Sequence, residues 1–121
     1  MPARELIKRT IGRLEELDDP GCREFQIGQG DWPFKGFVVR QGGQVFAYQN
    51  VCKHAGHPLN LKPEHFLSGD GSQIICSSHG ALYDIPTGVC VAGPCPGTVL
   101  NKVDVQIENG DIIVRGPNGL R

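Results

Sequence analysis

The sequence predicts an all-β fold, and three observations lead to this prediction. Glycine accounts for 17 of the 121 residues and proline for nine, which makes turns frequent. Short apolar runs stand between these turns, as in the strands of an antiparallel framework. A strong hairpin signal occurs in each half of the chain, at Gly42-Gly43 and at Asn109-Gly110. The length is typical of one domain, here residues 1–121.

The strands of this framework can be located from the residue pattern. They are predicted at residues 23–27, 36–40, 44–48, 103–107 and 111–115. In the fourth, Val103, Val105 and Ile107 alternate with polar residues, which indicates a half-buried strand. The first seventeen residues predict no more than a short helical turn. Core or sheet-face positions are assigned to Phe25, Phe34, Phe37, Val39 and Phe46.

The middle of the chain, at about residues 51–97, has little periodicity and contains most of the histidines and cysteines. We therefore predict a β framework at about residues 11–50 and 98–117 that carries an irregular insertion. Loops held by a rigid scaffold often carry the function of a protein.

Composition excludes several classes of partner. The 12 Lys and Arg residues nearly balance the 13 Asp and Glu residues, and no basic patch is evident, so nucleic acid is not expected as a partner. No apolar segment is long enough to span a membrane, and the N-terminus lacks a secretory signal, so we expect a soluble cytoplasmic protein with no membrane partner. Five cysteines, an odd number, favour metal ligation over a disulfide scaffold.

Two short motifs carry the chemistry. Cys52 and His54 form a C-x-H pair, and after twenty-one intervening residues Cys76 and His79 form a C-x-x-H pair. Thiolate and imidazole suit zinc, copper or iron. Either one tetrahedral ion is bound by all four residues, or two metal ions divide them. Zinc sites usually group their cysteines in one half, whereas here each half supplies one sulfur and one nitrogen.

These motifs resemble the two ligand boxes of the Rieske [2Fe–2S] domain family. The residues around them agree: Leu59 follows the first box, Gly80 and residues 81–84 follow the second as H-G-x-x-aromatic-D, and residues 93–96 resemble the proline loop that covers the cluster. The resemblance extends from about residue 12 to residue 115. It implies a Rieske-like fold, in which an antiparallel β framework carries an inserted cluster-binding subdomain of two ligand loops.

The resemblance also implies one [2Fe–2S] cluster per chain. Cys52 and Cys76 would hold the inner iron, and His54 and His79 the outer iron. Residues expected beside the cluster without being ligands are His57, Ser78, Gly80, Ala81, Tyr83 and Pro94. Cys90 and Cys95 are expected to be buried thiols, with a disulfide between them as the alternative.

Departures from the family pattern bear on the reduction potential. The spacing between the boxes is longer than usual, with the excess in residues 63–73, and Ser77 stands where proline is common. Respiratory Rieske proteins have cysteines at the positions of His57 and Ser78 and a serine at that of Ala81. Fewer hydrogen bonds to sulfur predict a potential in the lower part of the Rieske range, although a Tyr83 hydroxyl donating to a ligand sulfur would raise it.

The resemblance therefore implies a one-electron carrier without catalytic residues of its own. The expected role is the ferredoxin component that delivers electrons from a reductase to a terminal oxygenase. The alternatives are a small subunit of an assimilatory nitrite reductase, whose partner would be the reductase large subunit, and a structural zinc-binding domain. An oxygenase would need a second iron site. After His54 and His79 only His57 and His65 remain as histidines, with Glu64 and Asp70 nearby, so an oxygenase is not expected.

Overall fold

A computed structural model of the chain describes residues 6–28, 34–51, 59, 66–69, 71–76, 80–93 and 97–117. These residues form nine strands and one 3₁₀ turn, without an α-helix. The strands are β1 (Leu6–Arg13), β2 (Gly21–Ile27), β3 (Phe34–Gln41), β4 (Gln44–Gln49), β5 (Gln73–Ile75), β6 (Leu82–Asp84), β7 (Cys90–Ala92), β8 (Asp104–Glu108) and β9 (Asp111–Pro117), and the 3₁₀ turn is Leu14–Glu16.

The nine strands form three antiparallel sheets of three strands each. The outer sheet has the order β1-β9-β8, the central sheet β2-β3-β4 and the ligand sheet β5-β6-β7. The all-β prediction is confirmed.

Strand β3, in the middle of the central sheet, is buried on both faces, and side chains of β3 and β4 contribute to two core clusters. Val38 and Ala47 contribute to one core cluster, together with Ile112 and Val114 of the outer sheet. Side chains that alternate with them contribute to a second core cluster with residues of the ligand region: Phe37, Val39 and Tyr48. This period of two explains the continuous apolar run in β3, because a strand covered on both faces needs apolar residues at every position.

The framework strands and hairpins follow the predictions closely. Gly42-Gly43 joins β3 to β4, and Asn109-Gly110 joins β8 to β9. The fourth predicted strand was expected to be half-buried. Its burial decreases along the chain, from Val103, which is 9% exposed, to Ile107, which is 37% exposed. The assigned core residues are buried, except Phe46, which is partly buried against the second core cluster.

Two expectations were wrong. The predicted helical turn near the N-terminus is replaced, over the described residues, by strand β1 and a single 3₁₀ turn. Residues 6–13 pair with β9 along their whole length, and such sheet pairing overrides a weak local helical preference. The insertion at 51–97 is also more regular than expected, since it contains the whole ligand sheet.

The described part of the chain contains no helix that is long and apolar enough to cross a membrane.

Candidate metal centre

Of the four predicted ligands, the structure describes Cys76. The other three, Cys52, His54 and His79, lie outside the described residues, as do His57, Ser78 and Pro94. No group of three potential ligand side chains occurs among the residues that are described. The geometry of the centre therefore comes from Cys76 and from the residues that begin and end each box.

Cys76 directly follows β5, and its side chain is fully buried. Two backbone hydrogen bonds close the chain around the second box. The Gly80 N–H donates to the Cys76 carbonyl oxygen at 2.8 Å, and the Cys76 N–H donates to the Ala81 carbonyl oxygen at 2.9 Å. Gly80 has a φ of +73°, a conformation that favours glycine. These hydrogen bonds hold the residues on either side of positions 77–79 together at the end of the β5-β6 hairpin.

The chain that leads into the proline loop lies directly against the second box. A Cβ atom at Gly93 would come within 2.7 Å of the Ala81 Cα atom, and Gly93 has a φ of +95°. Both the space and the backbone conformation therefore favour glycine at this position. The contact places the start of the predicted covering loop beside a residue that follows the predicted ligand His79 by two positions.

The first box is bracketed by Asn50 and Leu59. The Leu59 N–H donates to the Asn50 Oδ1 atom at 2.8 Å, and the Leu59 side chain is fully buried. Leu59, which follows the first box, lies in the same apolar cluster as Cys76 and Ala81 of the second.

Tyr83 and Cys90, the next residues of interest, lie on neighbouring strands of the ligand sheet. Tyr83 of β6 is fully buried and pairs with Ile74 of β5 and with Cys90 of β7. Its packing role is confirmed, and donation from its hydroxyl group to a ligand sulfur stays a prediction. Cys90 is 4% exposed, and its Sγ atom lies 3.3 Å from the Ala92 carbonyl oxygen. Cys95 lies outside the described residues, so the disulfide alternative also stays a prediction.

The long spacing between the boxes ends in an ordered turn. The Gly71 N–H donates to the Ser68 carbonyl oxygen at 2.8 Å, and the Ser68 N–H donates to the Gln73 carbonyl oxygen at 2.8 Å. Phe66, just before this turn, stacks on Phe37 of the central sheet with ring centroids 4.2 Å apart. The extra residues are therefore anchored to the core where they are described.

Sequence reasoning missed two residues that connect the framework to the ligand region. Tyr48 is 1% exposed, and its hydroxyl group donates to the Ile85 carbonyl oxygen at 2.5 Å. Burial, followed by the negative charge of Asp84, raises the pKa of Tyr48 to about 12, so the hydroxyl group keeps its proton at neutral pH. Asn50 is the other. A polar residue at the end of a buried strand and two positions before a ligand was the available signal.

The donor set and the burial of Cys76 fit a sulfur-bridged iron cluster. Thiolate and imidazole are ligands of such clusters, and Cys76 and its neighbours form an apolar environment that limits the access of water. The outer, central and ligand sheets with two ligand-bearing loops define a Rieske-type protein. The model of the Rieske [2Fe-2S] domain family matches residues 10–106, and the chain belongs to this family. Membership implies that the cofactor is a Rieske [2Fe–2S] cluster.

Similar proteins include several ferredoxins. Ferredoxin CarAc of Metapseudomonas resinovorans is 32% identical over 79 residues, which cover 65% of this chain and 68% of the relative. The solved structure of the ferredoxin of carbazole 1,9a-dioxygenase from Nocardioides aromaticivorans IC177 is 26% identical, with a TM-score of 0.69 over 91% of this chain and 97% of that chain. The Sphingomonas yanoikuyae B1 ferredoxin is 26% identical, with a TM-score of 0.65 over 92% and 100% of the two chains.

Proposed function

We propose that the chain is a one-electron carrier, the ferredoxin component that passes electrons from a reductase to the terminal oxygenase of a dioxygenase system. The observation that carries this proposal is the likeness to the ferredoxin of carbazole 1,9a-dioxygenase, which extends over 97% of that ferredoxin. The curated relative of 32% identity is also a ferredoxin. The chain is thus similar to a carrier over nearly the carrier's whole length.

The ligands in this proposal are Cys52, His54, Cys76 and His79. Two sulfurs would bind the inner iron and two histidine nitrogens the outer iron, as the resemblance implies. When bound, a Rieske cluster accepts and releases one electron. The burial of Cys76 in the apolar core cluster supports this division, because the thiolates are the inner ligands in it.

The surface next to the second box supports a contact with the terminal oxygenase. Residues 85–101 contain no charged side chain. Within this stretch Val91 is 50% exposed and Val99 is 43% exposed, and the Val89–Val99 bridge places the two segments side by side. Because Gly93 lies against Ala81, this uncharged surface adjoins the second ligand box. An apolar face of the oxygenase would fit it better than a charged one.

A matched pair of variants tests this contact. Val91→Glu should slow reduction of the oxygenase by about tenfold or more without changing the reduction potential of the carrier. Ile107→Glu, which introduces the same charge at the exposed position on β8, should leave the rate near that of the parent protein. Equal effects of the two variants would contradict docking at this surface.

An anaerobic redox titration, monitored by visible absorption, tests the proposed function itself. We expect reversible uptake of one electron per chain, and transfer of that electron to the oxygenase component of a carbazole dioxygenase system. The absence of a reversible redox transition would contradict the proposed role as an electron carrier. If the electron passes to the large subunit of a nitrite reductase and not to an oxygenase, the role of electron carrier stands and the proposed partner is wrong.

We also propose that residues 1–121 form a single Rieske domain that acts in the cytoplasm. The family match over residues 10–106 and the packing of the ligand sheet on the framework support the single domain. The absence of a long apolar helix from the described residues agrees with the location.

A further inference from the structure

The end of β4 connects the framework to three separate segments. At successive positions, Tyr48 donates to the Ile85 carbonyl oxygen, the Gln49 Oε1 atom accepts from Asn101 Nδ2 at 2.9 Å, and the Asn50 Oδ1 atom accepts from the Leu59 N–H. The side chains of these residues therefore bind the turn after β6, the segment after the proline loop and the end of the first ligand box.

Asn50 differs from its neighbours in burial. It is 7% exposed and is the one polar or charged side chain that is buried among the described residues. Burial of an amide group is unfavourable unless the group is hydrogen-bonded. The Asn50 N–H also donates to the Lys35 carbonyl oxygen at 3.0 Å, which extends the ladder between β3 and β4 past the end of β4. The Asn50 backbone is therefore fixed by the central sheet.

The Asn50 side chain closes the loop that carries the first ligand pair. Cys52 and His54 lie between Asn50 and Leu59 in the sequence, and the hydrogen bond from Leu59 joins the two ends of that loop. Leu59 is fully buried in the core cluster that contains Cys76. Without the Asn50 oxygen, the Leu59 N–H would lose its partner in an apolar environment, which favours opening of the loop.

We propose that Asn50 is a positioning residue for the first ligand box. Its side chain joins the two described ends of the segment that carries Cys52 and His54. This inference rests on the proposed ligand role of Cys52 and His54. It assigns to Asn50 a role in retention of the cluster that goes beyond core packing.

The test uses cluster-loaded protein and two readouts. The first is the half-time of cluster release in EDTA, followed by visible absorption, and the second is hydrogen exchange of the segment 51–59 by mass spectrometry. Asn50→Leu, similar in volume but without an acceptor, should speed both by about tenfold, because one buried hydrogen bond is lost. Asn50→Asp keeps the acceptor oxygen but buries a carboxylate, and both readouts should therefore lie between those of the parent protein and Asn50→Leu.

Two control variants separate positioning from general stability. Gln49→Leu removes the neighbouring amide hydrogen bond to Asn101, and Ile112→Ala weakens the framework core far from the boxes. Neither should speed exchange of the segment 51–59 relative to the rest of the chain. If Asn50→Leu does not yield loaded protein, Asn50→Ala takes its place in the same comparison.

The outcomes are distinguishable. Faster release and exchange in the Asn50→Leu variant, with partial recovery in the Asn50→Asp variant, supports the inference. Parent-like behaviour of Asn50→Leu, or equal acceleration in the Gln49→Leu variant, overturns it while the proposed function stands. Absence of iron and sulfide from the parent protein overturns both.

Discussion

The framework and the ligand region are held together in different ways. The outer and central sheets consist of strands of five to eight residues, joined by two tight hairpins and packed through a continuous apolar cluster. The ligand sheet has strands of three residues each. Its described part also packs into a core cluster, and its geometry depends in addition on individual contacts: Gly93 against Ala81, the Tyr48 hydroxyl group on the Ile85 carbonyl oxygen, and Leu59 on Asn50.

This difference has a consequence for function. A framework stabilised by distributed burial tolerates change at single positions, whereas a site held by single contacts depends on each of them. We therefore expect substitutions in the framework to alter stability and leave the redox properties unchanged. Substitutions in the ligand region should do the reverse.

The largest effect is expected from loss of a ligand. Cys76→Ser should abolish binding of the cluster, because the buried thiolate is replaced by a hydroxyl group that binds iron weakly. Iron and labile sulfide contents should fall from two each per chain to near zero. Cys22→Ser, at a half-buried position in β2, is the matched control and should retain both. Equal loss in the two variants would contradict the assignment of Cys76.

A substitution that creates a cavity in the framework should lower the stability and leave the reduction potential unchanged. Ile112 is 1% exposed, and Ile112→Ala should lower the free energy of unfolding by about 2–5 kcal/mol. The reduction potential should stay within about 10 mV of the parent value, since the packing around the boxes is unchanged. Urea denaturation measures the free energy of unfolding, and voltammetry measures the reduction potential. A large shift in the potential would contradict the expectation that framework substitutions affect stability alone.

Ala81 should control the potential without affecting the framework. The parent protein should have a potential below about +200 mV, in the lower part of the Rieske range of roughly −150 to +300 mV. Ala81→Ser adds a hydroxyl group at a buried position next to the second box and should raise the potential by roughly 20–60 mV, equivalent to one hydrogen bond. Protein-film voltammetry gives both values. A parent potential above about +200 mV would exclude the low-potential prediction.

A substitution at Tyr83 is expected to shift the reduction potential in the opposite direction. Buried tyrosine hydroxyl groups usually have a hydrogen-bond partner, and Tyr83 is fully buried on β6. If that partner is a ligand sulfur, Tyr83→Phe should lower the potential by roughly 20–60 mV. An unchanged potential would leave Tyr83 with the packing role alone.

The smallest expected effect is the dependence of stability on Tyr48 at high pH. The pKa of Tyr48 is raised to about 12 in the folded protein, compared with a usual value of 10.0. The unfolded chain therefore loses this proton first, and the Tyr48 contribution to stability is complete below pH 10 and decreases as the pH rises toward 12. Comparison of the parent protein with Tyr48→Phe by urea denaturation should show a steeper decline in the parent. Parallel curves would contradict the raised pKa.

Sequence alone predicted the framework well because its signals are local. Alternation in residues 103–107 and the two hairpin pairs depend on neighbours along the chain. Strand β1 was missed because its pairing with β9 joins residues about a hundred positions apart, such as Arg9 and Val114. The roles of Tyr48 and Asn50 were missed for a related reason. Tyr48 binds a carbonyl group 37 positions away, and the burial of Asn50 depends on the fold around it.

The family could be predicted from the two boxes because metal chemistry restricts the residue types and their spacing. The packing contacts around the boxes could not be predicted, since a contact such as that of Gly93 with Ala81 leaves no pattern in the sequence beyond a glycine. Chemistry at a site is thus easier to predict than the packing that holds it.

The most direct test of the central claim is the absorption spectrum of the purified protein, with iron, labile sulfide and zinc measured on the same sample. The account predicts a red-brown protein with two irons and two sulfides per chain. A colourless protein with one zinc per chain, unchanged by anaerobic iron–sulfur reconstitution, would contradict it.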